Sequence, residues 1–263
     1  MDLGIRGRVA LVSASSRGLG RAIATELGAA GVRLVLCARD EGALQRTAAD
    51  IVRETGADVD AIPADLSKRE DVQRLLQTVL ERLEHVDILV TNAGGPPSGP
   101  FESLDADAWD TAYRLTLQSA VELTRGLLPE MKRRRWGRIL NVTSITVKQP
   151  VENLMLSNSL RAAVTGFART LANEVAPYGI TVNNLLPGYT GTDRVLHLAE
   201  ATSRRDGVSI EEVQSRIESQ IPMGRMGEPA EFAALAAFLA SERASYITAQ
   251  SIAVDGGWIR GLY

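Results

Sequence analysis

Cysteine is almost missing from this 263-residue chain. Cys37 stands alone, so no internal disulfide can form, and its place in the apolar run VRLVLCAR marks it as a buried strand residue. Only two histidines occur, His85 and His197, and there is no CxxC or HxxxH pair, which removes the usual ligand sets of a structural zinc site. No apolar run approaches the ~20 residues a membrane-spanning helix needs. The amino terminus, MDLGIRGRVALVSAS, enters a strand almost at once without a signal-peptide pattern, and the cytoplasm is the expected compartment. An excess of one charge is missing too: the formal net charge is -3, leaving no global attraction to nucleic acid or an anionic membrane. The one basic cluster, Lys132 to Arg135, is expected as a solvated helix end, where positive charge suits the helix dipole. With neither repeats nor a long linker, a single domain over residues 1–263 is expected.

What the chain does have is a rhythm. Short apolar runs at 8–14, 32–38, 58–64, 86–94, 137–144, 180–188 and 250–257 read as strands. Longer amphipathic stretches separate them: 18–30, 41–55, 68–83, 105–134 with a break expected near Pro129, 154–176 and 229–240. Buried strands alternating with helices predict an α/β, Rossmann-like three-layer fold, with a central parallel sheet of about seven strands covered on both faces. One segment breaks the rhythm. Residues 189–221, charged between Gly191 and Gln220 and bounded by Pro187-Gly188 and Pro222, are expected as a helical insertion or lid over the carboxyl edge of the sheet, where such folds bind ligands.

The first strand runs into SASSRGLG. Gly18 and Gly20 sit where the chain must turn tightly into a helix whose free N–H groups suit a phosphate, although the GxGxxG fingerprint is absent. Arg39 ends the second strand, where an acid would hold a free ribose 2′-hydroxyl; with Arg17 it suits a 2′-phosphate instead, which favours NADP(H) over NAD(H). Asp40 is a competitor, either for Arg39 or for the ribose. Asp65 is placed to accept from an adenine amino group or to cap the next helix, with Ser67 as a rival cap. In TNAGG, Asn92 suits the locking of neighbouring strands, and Gly94 permits close approach of a ligand.

The spacing of SASSRGLG, DLS, NAG, Ser144, the PG at 187–188 and VDGG at 254–257 resembles the short-chain dehydrogenase/reductase family, in its 3-oxoacyl-acyl-carrier-protein reductase-like branch, over nearly the whole chain. The resemblance implies a cofactor site formed by Ser13, Ser15, Arg17, Gly18, Leu19, Gly20, Arg39, Asp65, Leu66, Asn92, Ala93, Gly94, Arg161, Pro187, Gly188 and Thr190. It also implies a homotetramer built on the 105–134 and 154–176 helices and on the carboxyl-terminal VDGGWIRGLY, where Trp258 and Tyr263 have the alternative of capping the monomer core. Ala14 stands where the family motif has its first glycine; the added methyl is expected to crowd a pyrophosphate only slightly.

The family's catalytic group is degenerate here. Ser144 matches the carbonyl-orienting serine, but Ser157 stands at the tyrosine, Arg161 at the lysine and Thr116 at the asparagine that sustains a water-linked proton path. A serine hydroxyl is a far weaker acid than a phenol, whose pKa begins near ~10, and nothing in the sequence lowers it for acid–base work. Arg161 keeps the positive charge and could donate to a ribose, with a fork unlike a lysine's. Tyr189, after Pro187-Gly188, is the best substitute phenol; Lys148 lies four beyond Ser144 and reads as a solvated loop lysine or a ligand of a carboxylate. Leu196, Leu198, Val208 and Ile210 permit an apolar substrate tail. Surviving cofactor-facing features favour an NADP(H)-dependent reductase of a small-molecule or acyl-thioester carbonyl with non-standard proton delivery; the alternative is an inactive nucleotide-binding homologue acting as sensor or assembly partner. Retention of the cofactor-facing residues argues against a fold kept for assembly alone.

Overall fold

The computed structural model describes residues 2–262. Seven parallel strands form one sheet in the order β3-β2-β1-β4-β5-β6-β7. They are β1 (Val9–Ser13), β2 (Arg33–Ala38), β3 (Val59–Pro63), β4 (Ile88–Thr91), β5 (Gly137–Val142), β6 (Ile180–Pro187) and β7 (Ser251–Val254). Each lies within a run expected from the sequence.

The period of two along each strand divides the core. On one face Ala10, Val12, Leu34, Leu36, Leu140 and Leu185 meet α1 (Gly18–Ala29), α2 (Glu41–Thr55) and α9 (Pro229–Ala240) through Ile23, Leu27, Leu44, Ile51 and Phe232. On the other, Leu11, Val35, Ile139 and Val182 meet α3 (Arg69–Leu83), α5 (Ser119–Arg134) and α6 (Met155–Val175) through Val72, Leu75, Leu123, Leu127, Leu171 and Val175. Both faces of the sheet are thus dry, which is why the strands read as continuous apolar runs. Among the described residues no helix is long and apolar enough to cross a membrane.

A polar ladder crosses this apolar sheet at one level. Thr91 Oγ1 donates to Asn141 Oδ1 (2.7 Å), Asn141 Nδ2 to Asn184 Oδ1 (3.2 Å) and Asn184 Nδ2 to Ser251 Oγ (3.1 Å). These residues are register partners on β4, β5, β6 and β7. Slipping any strand would bury an unpaired amide, so the ladder pins the register of these four strands.

The 105–134 stretch departs from expectation. Helix α5 runs through Pro129 without a break. The irregularity is one π-helical stretch, Arg114–Gln118, between α4 (Ala106–Tyr113) and α5, and Thr116 lies within it. Within residues 189–221 lie two helices, α7 (Asp193–Asp206) and α8 (Ile210–Gln220).

Candidate active site

The sheet order reverses between β1 and β4, so the crevice opens beyond their carboxyl ends. On the β1 side, α1 begins at Gly18 with Arg17 as an N-cap whose side chain does not bond to the helix, leaving the first-turn N–H groups unclaimed by a side chain. Gly20 is demanded by packing: a Cβ there would stand 2.3 Å from the Ala14 carbonyl oxygen and 2.9 Å from Asn92 Nδ2. Ala14 holds a left-handed φ of 48°. Replacing glycine here therefore carries a penalty of backbone strain, beside the slight crowding of a pyrophosphate expected from the sequence.

The serines of this loop face inward. Ser13 Oγ donates to the Asn92 carbonyl (2.7 Å) and accepts from the Asn92 amide (2.8 Å). Ser15 Oγ accepts from Cys37 N (3.1 Å). Both residues are fully buried, so their hydroxyls bind strands to the loop rather than facing a ligand. Asn92 completes the lock by donating to Ala14 O at 3.3 Å. Cys37 lies beneath, its thiol pushed up to about 12 by burial, and is inert as a nucleophile.

At the end of β2, Asp40 is spent: its carboxylate accepts from Ala43 N (2.8 Å) and caps α2. Arg39 is exposed beside it, free of the competitor. Asp65 uses Oδ1 on Ser67, at 3.0 Å to the amide and 2.8 Å to the hydroxyl, so it closes its own turn, while Lys68 is the N-cap of α3. Leu66 is buried under the same turn. Gly94 has no atom within 4 Å of where a Cβ would be, which leaves room over the β4 end. Together the open helix terminus, the space at Gly94 and the unpaired Arg39 fit a dinucleotide with a 2′-phosphate.

The chemistry end is arranged differently. Arg161, 8 % exposed, donates through Nη1 to the carbonyls of Val142 and Thr143 (2.8 Å each) and through Nη2 to Ala93 O (3.5 Å). Three of the guanidinium's five donors thus clamp the ends of β4 and β5, a different task from the ribose contact expected for it. Burial lowers its pKa to about 10, and the nearby Arg194 charge adds to that. One turn earlier on α6, Ser157 is buried on the same side.

Facing Arg161 is a cavity of about 10 Å³, room for a single water, lined also by Asn92, Thr116 and Thr143. Thr116 Oγ1 is buried without a partner, so the cavity brings a cation and an orphaned hydroxyl together. Ser144, directly after Thr143, accepts from Thr146 N through Oγ (3.1 Å), and its own proton stays available to a carbonyl.

Tyr189 belongs to a separate cluster with Ile145, Leu186, Ile221 and Trp258. It meets Trp258 edge-on, centroids 5.9 Å apart at 74°. Burial raises its pKa, the wrong direction for a substitute acid. Trp258 is buried within its own chain, so it caps the monomer; Tyr263 lies outside the described residues. Lys148 is exposed. Pro187 ends β6, and Thr190 is buried, its Oγ1 3.4 Å from Gly188 O.

Sequence reasoning missed Arg194. It stands in the first turn of α7, where a cation opposes the helix dipole, and that misplacement was the one available signal. Its neighbour Asp193 pairs with Arg17 at 3.3 Å, both exposed.

A family model described as Enoyl-(Acyl carrier protein) reductase matches residues 13–259. The chain is 31% identical over 257 residues to the 3-oxoacyl-[acyl-carrier-protein] reductase of Aquifex aeolicus, covering 98% of this chain and 99% of that protein. It is 30% identical over 256 residues to the NADPH-dependent reductase BacG of Bacillus subtilis, covering 97% and 99%. The structure is similar to that of L-sorbose reductase from Gluconobacter frateurii, solved with NADPH and L-sorbose, with a TM-score of 0.94, 32% identity and full coverage of both chains.

Proposed function

The chain belongs to the short-chain dehydrogenase/reductase family, and from that premise we propose an NADP(H)-dependent reductase of a small-molecule or acyl-thioester carbonyl that works without a tyrosine. The observation that carries this is the contrast at the end of β2: Asp40 is consumed as a helix cap while Arg39 stays exposed for a 2′-phosphate. Gly18, Leu19 and Gly20 open the phosphate-binding turn, and Asn92, Ala93 and Gly94 border the nicotinamide end.

NADPH, when bound, supplies the hydride. Ser144 donates its hydroxyl proton as a hydrogen bond to the substrate carbonyl and so favours charge building on that oxygen. The proton that completes the alcohol comes from water, and the cavity lined by Thr116 and Arg161 has room to hold one such molecule. Arg161 holds the strand ends and contributes positive potential. Orientation then supplies most of the rate, since hydride transfer needs no protein nucleophile. Residues 189–221 act as the lid: the exposed Arg17–Asp193 pair is weak enough to open for cofactor entry. A homotetramer through α5 and α6, and a cytoplasmic setting, belong to the same proposal.

One observation favours the second reading, an inactive nucleotide-binding homologue: Arg161 spends most of its donors on backbone. A titration with NADPH and NADH, followed by cofactor fluorescence and melting temperature, comes first, and a carbonyl screen with S144A and Y189F controls comes next. Selective NADPH binding with turnover lost in S144A supports the reductase. NADPH binding without turnover of any carbonyl supports the inactive homologue, and absence of binding at millimolar cofactor sinks both.

A further inference from the structure

The start of α7 sends two charges in opposite directions. Asp193 reaches the glycine loop through Arg17. Arg194 reaches across the crevice to the loop after β4, where Nη2 donates to Pro96 O at 3.0 Å. Its guanidinium lies flat over Gly95: a Cβ at that position would stand 2.5 Å from Nε and 2.6 Å from Cζ. Gly95 is therefore the residue that lets this cation settle beside the chemistry end.

Two guanidinium groups hold the segment after β4, Arg161 at Ala93 O and Arg194 at Pro96 O. Arg161 is buried, Arg194 is partly buried, and each has its pKa lowered by that burial, with the Arg194 charge adding to the effect at Arg161. Among the described residues neither forms an ion pair with an acid. A pair of desolvated like charges with no counter-ion is a costly arrangement that an incoming anion relieves. The nucleotide's phosphates have their own partners on the β1 side, at the α1 terminus and Arg39. The cation that remains at the β4 end is on the substrate's side.

We propose that Arg194 anchors a substrate carboxylate, so that the carbonyl compounds this chain reduces are oxo acids rather than neutral ketones or thioesters. This rests on the reductase reading above. The reaction balances as oxo acid plus NADPH plus H⁺ giving hydroxy acid plus NADP⁺. A C–H bond forms from the hydride, the carbonyl π pair becomes the new O–H bond with a proton from water, NADPH is oxidised, and the carboxylate on Arg194 is unchanged. A planar, bidentate guanidinium suits that task, and Nη2 is already oriented by Pro96.

The test reads binding, so it does not depend on turnover. With NADPH saturating, melting temperature and cofactor fluorescence are followed during titration with acetoacetate, phenylpyruvate and the methyl ester of each, for the wild type, R194M, R194Q and R194K. The wild type should bind an acid more tightly than its ester by about 10-fold or more, and R194M and R194Q should erase that gap by weakening the acid about 10- to 100-fold. Ester affinity and NADPH affinity should stay within about twofold, and R194K should keep part of the gap because charge survives without the fork.

Failure to bind any oxo acid, or equal binding of acid and ester by the wild type, overturns the proposal. So does a loss of NADPH affinity in R194M matching the loss for the acid, which would make Arg194 a phosphate ligand. Equal weakening of acid and ester, pointing to a mere prop for the Gly95 loop, overturns it as well. An oxo acid bound selectively but never reduced supports the carboxylate anchor while sinking the reductase reading. Turnover of neutral ketones with no preference for acids does the reverse.

Discussion

The two ends of the crevice treat their polar side chains in opposite ways. At the β1–β2 end the groups suited to a cofactor are unspent: the α1 amides lack a side-chain cap and Arg39 stands exposed while Asp40 is tied to α2. At the β4–β5 end the groups in the catalytic positions are mostly committed. Arg161 holds Val142, Thr143 and Ala93, and Ser144 accepts from Thr146 N, while the Thr116 hydroxyl beside the one-water cavity is the exception, buried without a partner. A binding site is recognised by what it leaves unsatisfied, and an internal brace by how fully it is satisfied. By that measure the cofactor end is built for a ligand, and the chemistry end is built first for rigidity.

The largest effect expected from testing this contrast is at Gly20. G20A drives a methyl into the Ala14 backbone carbonyl, which cannot swing away as a side chain can, and into the Asn92 amide that is hydrogen-bonded to it. A stability loss of about 3 kcal/mol is expected from overpacking of this kind, read as a lower denaturation midpoint, together with loss of measurable NADPH binding. Normal binding by G20A would show that the turn is not the phosphate site.

Next comes an attempt to make the chemistry end conform. S157Y/R161K places a phenol and an ammonium one turn apart on α6 and removes the guanidinium donors that now clamp carbonyls. If the missing acid is what limits the reaction, kcat/KM should rise by about 100-fold, within the range of general acid catalysis, with NADPH affinity retained. A double variant that folds and binds NADPH but reacts no faster would show that the deficit lies beyond this pair. Smaller again is R39A, expected to weaken NADPH by about 10-fold with NADH unchanged, the loss of one charge-assisted contact. Equal affinities for NADPH in R39A and the wild type would remove the 2′-phosphate from this position.

The fold was legible because its signal is local: strands buried on both faces read as apolar runs, and α2 and α9 begin and end where periodicity and the Pro229 start place them. At the candidate site, what was legible is placement that follows from a strand end or a helix start: Arg39 directly after β2 and Gly20 in the first turn of α1. Besides Arg194, three features escaped. The Thr91–Asn141–Asn184–Ser251 ladder needs the register of four strands at once. The irregular turn in the 105–134 helix was assigned to Pro129, yet a helix can absorb one missing N–H there, and the π stretch around Thr116 carries no proline to announce it. Arg161 looked like a ligand-facing cation because sequence shows charge but not the carbonyls that long-range packing aims at it.

The smallest effect sharpens the contrast within the cofactor end itself, between two positions of one turn. Ala14 and Gly20 lie at the same crossing, but position 20 forbids a side chain on contact grounds while position 14 asks for glycine on backbone grounds. Relieving the left-handed φ of Ala14 with A14G is worth about 1 kcal/mol or somewhat more, and the added freedom of glycine in the unfolded chain takes back about 0.5–1 kcal/mol. The net should be a gain of about 0.5 kcal/mol, hence a rise in Tm of about 1–2 °C for a chain of this size. NADPH affinity should change by less than about twofold, because the amides of α1 are already placed without it. A fall in Tm would mean that the alanine methyl packs usefully, and the strain assigned to position 14 would have to be given up. A rise in Tm alongside the damage expected of G20A would separate the two demands of the turn, one for conformation and one for space.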